Sequence, residues 1–82
     1  EKYTRLFRQY VEQHSEPLNW KDDNQEKWYV CYDTDTDNIR FESMVVIKCM
    51  DICGSSEEVM RDAIDFVGRE NFLRYVIGAQ DE

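Results

Sequence analysis

The sequence predicts an α+β domain with an N-terminal helix, a two- to three-stranded antiparallel meander and two short C-terminal helices. Three observations predict it. Apolar residues recur with helical period over the first sixteen positions, a run of aromatic and β-branched residues alternates at period two in the middle, and helical period returns after Gly54. The strands follow one another with no helix between them, so an antiparallel connection is expected rather than a parallel crossover. At 82 residues the chain has room for one core, because a chain of this length buries only about 60–65% of its unfolded surface. Residues 1–16, an amphipathic helix, and 17–82, a small α+β unit, therefore read as one domain.

In residues 1–16, Tyr3, Leu6, Phe7, Tyr10, Val11 and His14 fall on one helical face, with Arg5, Arg8, Gln9, Glu12 and Gln13 elsewhere. Pro17 ends the helix by removing a donor and biasing Glu16 away from helical angles. His14 closes the apolar stripe near the helix C-terminus, where a packing or capping role is expected. Residues 18–26, LNWKDDNQE, show neither period and read as a loop anchored by Trp20.

Lys27 to Asp33, KWYVCYD, reads as a strand with Trp28, Val30 and Tyr32 on one face and Tyr29 and Cys31 on the other. Ile39-Arg40-Phe41-Glu42 alternates, and Met44 to Met50 continues as MVVIKCM, giving one long second strand or two short ones with a bend near Ser43. The polar segment between them, DTDTDN, is the composition of a hairpin turn, since Asp and Asn tolerate left-handed angles and bond nearby amides. Farther on, Ser55 and Glu58 have capping-box spacing. Val59, Met60, Ala63, Ile64 and Val67 then recur with helical period until Gly68, expected to stop the helix in the left-handed conformation. Phe72, Leu73, Val76 and Ile77 mark a second short helix ending at Gly78, and the tail AQDE is expected to fray.

Ten basic and eighteen acidic residues give a formal charge of −8. Such a surface disfavours nucleic-acid phosphates and anionic lipid and favours a cationic partner surface. The longest wholly apolar run, Met44-Val45-Val46-Ile47, is far short of the roughly 20 residues that span a membrane. Cys31, Cys49 and Cys53 form an odd set without CxxC spacing, which fits reduced thiols in a cytoplasm. With only His14 at the far end of the chain to complete them, they make a poor zinc set and read instead as small apolar side chains.

Asp33, Asp35 and Asp37 match positions 1, 3 and 5 of a calcium loop, but Asn38 replaces its glycine and Met44 its closing glutamate. No metal or cofactor is therefore expected. Nor is a catalytic residue, because the chain offers no glycine-rich phosphate loop and no base paired with a nucleophile.

The run NWKDDNQEKWYVCYD and the later SSEEVMRDAIDFVGRENFLRYVIG carry a resemblance. Asn24, Gln25, Lys27, Trp28, Tyr29, Tyr32 and Asp33 in the first part, and Ser56, Glu57, Ala63, Ile64, Gly68, Leu73, Tyr75 and Gly78 in the second, resemble a group of small proteins carried by phages and prophages of Gram-positive bacteria. The likeness covers roughly residues 19–78. Trp28 stands where a tyrosine is usual, and Ile52-Cys53 where an aromatic pair commonly precedes the helix. The resemblance implies a phage accessory protein working inside the bacterial host cell and carries no catalytic signature.

The leading expectation is a non-enzymatic protein-binding module that meets a basic surface on a host factor, such as a nucleic-acid-handling or defence protein, through Asp22, Asp23, Asp33, Asp35 and Asp37. The bland counterpart is a solvated acidic surface with no special partner. Two further classes stand beside it: nucleic-acid binding by sheet aromatics Trp28, Tyr29 and Tyr32, and self-association, giving a homodimer, through the Tyr3/Leu6/Phe7/Tyr10/Val11 stripe.

Overall fold

A computed structural model describes residues 2–45 and 52–78. Helix α1 (Lys2–His14) is followed by the hairpin strands β1 (Lys27–Asp33) and β2 (Asn38–Met44), then by α2 (Glu57–Val67) and α3 (Arg69–Asn71), which runs on as a π-helical stretch, Phe72–Ile77. The architecture is α+β, with an antiparallel two-stranded sheet and helices on both sides of it in the chain. The register runs from Lys27 opposite Met44 to Asp33 opposite Asn38. Ser43 lies opposite Trp28 within that ladder, so the strand is unbroken there. Beyond Val45, the expected continuation of the second strand lies outside the described residues, as does the AQDE tail.

Among the described residues, one isolated bridge also joins β1. Trp28 N–H donates to the Gly54 carbonyl (2.9 Å) and Gly54 N–H to the Trp28 carbonyl (2.8 Å). Gly54 suits this crossing for a steric reason. A Cβ there would lie 2.6 Å from Met60 Sδ and 3.3 Å from Val11 Cγ1, where α1 and α2 close on the bridge.

Two strands alone bury too little to be stable in water and need a covering layer. Here α1 contributes Phe7 and Val11, β1 contributes Val30, α2 contributes Met60, Ala63, Ile64 and Val67, and the last helix contributes Phe72 and Leu73. The Phe7 and Phe72 rings sit 5.0 Å apart at 47°, tying the two ends of the chain together. Tyr3, Leu6 and Tyr10 pack on the edge of this core, so the α1 stripe faces the protein's own interior. His14 is exposed; its ring stacks on Tyr10 (3.9 Å) and Nδ1–H donates to the Tyr10 carbonyl (2.9 Å).

Helix α2 starts one residue later than the capping-box spacing predicts. Ser56 is the cap, its hydroxyl accepting from Val59 N–H (3.2 Å), and Glu57 and Glu58 in the first turn complement the helix dipole. Ser55 is already committed to α1: its hydroxyl accepts from Glu16 N–H (3.0 Å) and its N–H donates to Ser15 Oγ (3.2 Å). Gly68 ends α2 at φ 94° and ψ 131°, a positive φ outside the left-handed helical well, because the chain turns straight into α3. Asn71 Nδ2 donates to the Val67 carbonyl (2.9 Å), covering an acceptor that this break leaves open. Gly78, at φ 76° and ψ 24°, does take the left-handed conformation.

The loop before β1 is more ordered than its lack of period indicates. Gln25 spans it, with Oε1 accepting from Asn19 N–H (2.6 Å) and Nε2 donating to the Pro17 carbonyl (2.9 Å). Asn19 Oδ1 and Asp22 Oδ1 cap the backbone at Lys21 and Asn24. Lys27 closes the arrangement. It is 0% exposed, with Nζ donating to the carbonyls of Asp22 (2.8 Å) and Val45 (2.7 Å) and lying 5.3 Å from the centre of the Trp20 ring. Lysine is rarely buried to this degree, and here two carbonyls accept from the amine and an indole face attracts it. The residue joins the loop to the exit of β2.

Replacing Lys27 with methionine keeps most of the volume and strips the donor from two carbonyls, each unmatched acceptor costing about 1–3 kcal/mol. Lys27→Met is therefore expected to lower the urea midpoint without changing the m-value. A midpoint equal to that of the unmutated chain would show that the amine is dispensable.

Candidate functional site

Opposed residues of an antiparallel pair share a face. Trp28, Val30, Tyr32, Ile39 and Phe41 turn toward the helices, and all of them belong to the core or pack against it. Tyr29, Cys31, Arg40 and Glu42 lie on the other face. Trp28 and Tyr32 therefore do not share a platform with Tyr29. At Cys31, burial first, then the nearby Glu42 carboxylate, pushes the thiol up against a smaller opposing effect of Arg40. A raised thiol is a poor nucleophile at neutral pH.

The hairpin tip, residues 34–37, is held by its own side chains. Asp33 Oδ1 accepts from Asp35 N–H (2.9 Å) and Thr36 N–H (3.4 Å), an Asx turn. Asp37 takes φ 57°, tolerable for aspartate, and its Oδ1 accepts from the Tyr32 hydroxyl (3.0 Å). Arg40 stands 3.8 Å from Asp33 and 2.9 Å from Glu42. Asp35 is exposed at the apex. Asp35 is thus presented on a loop braced by the carboxylates of Asp33, at the end of β1, and Asp37.

Asp22 and Asp23 are not part of that site. They precede β1, whereas the tip follows it, and seven strand residues at about 3.4 Å each put roughly 20 Å between the two groups. Asp22 is also engaged locally, by its carboxylate with Asn24 N–H and by its carbonyl with Lys27. Among the described residues no three His, Cys, Asp or Glu side chains converge to hold a metal ion. Cys49 lies outside the described residues.

Beside the tip, a groove of about 210 Å³ runs between β2 and α2. Ile39, Phe41 and Ile64 line it with apolar surface, and Asn38, Asp65, Arg61 and Arg69 contribute the polar part. The Arg61 guanidinium lies 4.4 Å over the Phe41 ring and is bonded to Glu57 one turn away. The pattern of the sequence did not mark this groove. Its one signal is Gly68, which interrupts the helix between Asp65 and Arg69.

Compared with known protein families, curated proteins and solved structures, the chain matches none. No helix among the described residues is long and apolar enough to cross a membrane.

Tyr32 links tip and core. Desolvation first, then the bond to Asp37 and the charge of that carboxylate, raise its phenol above the ordinary value of 10.0, with Arg69 opposing. The neutral phenol is favoured in the fold, so its contribution to stability is complete below the ordinary value and lost as pH rises through the raised one. Phenolate absorbance, taken as the difference between the unmutated chain and Tyr32→Phe, should show late ionisation that Asp37→Asn brings earlier. An unchanged titration in Asp37→Asn would remove Asp37 from the account.

Proposed function

We propose that this chain is a non-enzymatic accessory protein of a phage or prophage, acting in the cytoplasm of the bacterial host as a protein-binding module. Its hairpin tip docks on a basic surface of a host factor, and a nucleic-acid-handling or defence protein inhibited in this way is the kind of target that fits. The braced turn carries the reading. Asp33 and Asp37 use backbone and phenol partners to hold the loop, and Asp35 is exposed at the apex. A tip already fixed in shape loses little conformational entropy when it binds, and its charge speeds encounter with a cationic surface. The phage setting rests on the resemblance of residues 19–78.

The experiment is affinity purification from a Gram-positive host lysate at low salt, with the unmutated chain and Asp35→Lys side by side. The expected result is a host protein with a basic surface, retained by the first, weakened by the second and released as salt screens the contact. Equal retention by both would place the docking surface elsewhere, and no retained protein at low salt would count against docking altogether.

A further inference from the structure

We infer that the groove between β2 and α2 is the anchor pocket of that interface, and that its occupant is a partner segment joining one aliphatic side chain to one carboxylate. The inference rests on the tip being the docking surface. The groove is continuous with the tip, since Asn38 and Ile39 follow Asp37 directly in the chain and the Tyr32 hydroxyl that holds Asp37 lies within the field of Arg69. At about 210 Å³ it falls below the roughly 300–1,000 Å³ of pockets for drug-sized ligands. That size suits a single branched side chain, and Ile39, Phe41 and Ile64 give it the apolar part of a lining that is otherwise polar.

The carboxylate follows from the charges on the rim. Arg61 is occupied, its guanidinium 4.4 Å over the Phe41 ring and bonded to Glu57. Arg69 has no ion pair or side-chain hydrogen bond among the described residues, and neither does the Asn38 carboxamide. On an uninterrupted helix Asp65 and Arg69 would be paired neighbours four residues apart. The break at Gly68 removes that geometry and leaves a guanidinium fork and an amide on the polar rim of the groove, with Asp65 beside them. A guanidinium recognises a planar carboxylate through two parallel bonds. The partner segment is therefore mixed in charge: a basic residue meets Asp35 at the apex, an aliphatic one enters the groove, and an acidic one meets Arg69.

The test titrates capped tetrapeptides into the full isotope-labelled chain and follows backbone amide resonances. The probes are Lys-Gly-Leu-Glu, the same peptide with Ala for Leu, and the same with Gln for Glu. The first should shift the amides of Ile39, Phe41, Asp65 and Arg69 together with Asp35. The Ala peptide should leave the groove amides in place and bind about tenfold more weakly. The Gln peptide should also bind more weakly, and the exposed substitution Arg69→Gln should abolish the difference between Glu and Gln peptides. If the Leu and Ala peptides bind alike and move only the tip, the groove is idle and the inference falls while docking at the tip stands. If no probe moves any resonance, both fall.

Discussion

A hairpin of two strands has to be covered on one face to exist, and here the covering layer comes from both ends of the chain. Val30 supplies the sheet's buried share, and α1, α2 and the last helix supply the rest. Because Phe7 from the first helix meets Phe72 from the last, the two ends of the chain are held through a single cluster. Outside that layer stand the exposed hairpin tip and, beside it, the groove between β2 and α2.

Lys27 shows how the same constraint reaches the polar residues. The strand begins where the loop from α1 arrives and β2 leaves, so three backbone segments crowd one point and bring carbonyls with them. A lysine amine is long enough to reach two of these, and the Trp20 ring covers it. A shorter side chain would leave the carbonyls bare, and a carboxylate would repel them. Gln25, bridging Pro17 and Asn19, extends the same device along the loop.

Much of the fold was legible in the sequence, because helical and strand periods report directly which side chains face a core. Tyr3, Leu6, Phe7, Tyr10 and Val11 of the α1 stripe, the inward set Trp28, Val30 and Tyr32, and the α2 set from Val59 to Val67 occupy the faces their spacing assigns, while His14 at the end of the stripe is exposed. What the period did not encode was competition for a hydrogen bond. Ser55 and Ser56 both have capping chemistry, and only the approach of Ser15 and Glu16 decides that Ser55 is used elsewhere. The site divided in the same way. The tip carboxylates were recognisable as turn residues, but their separation from Asp22 and Asp23 follows from the length of β1. The groove, assembled from β2 and α2, exists only after packing. The loop of residues 18–26 lacked period because its order comes from side chains bonding backbone, which periodicity does not register.

The central claim is that an anionic tip is held in one shape before any partner arrives, since a floppy acidic loop would be only a solvated surface. Its most direct test is the backbone order parameter of residues 34–37 in the free protein, from nuclear spin relaxation. The account predicts values close to those of the flanking strands, about 0.85, whereas values below about 0.6 at Asp35 and Thr36 would contradict it.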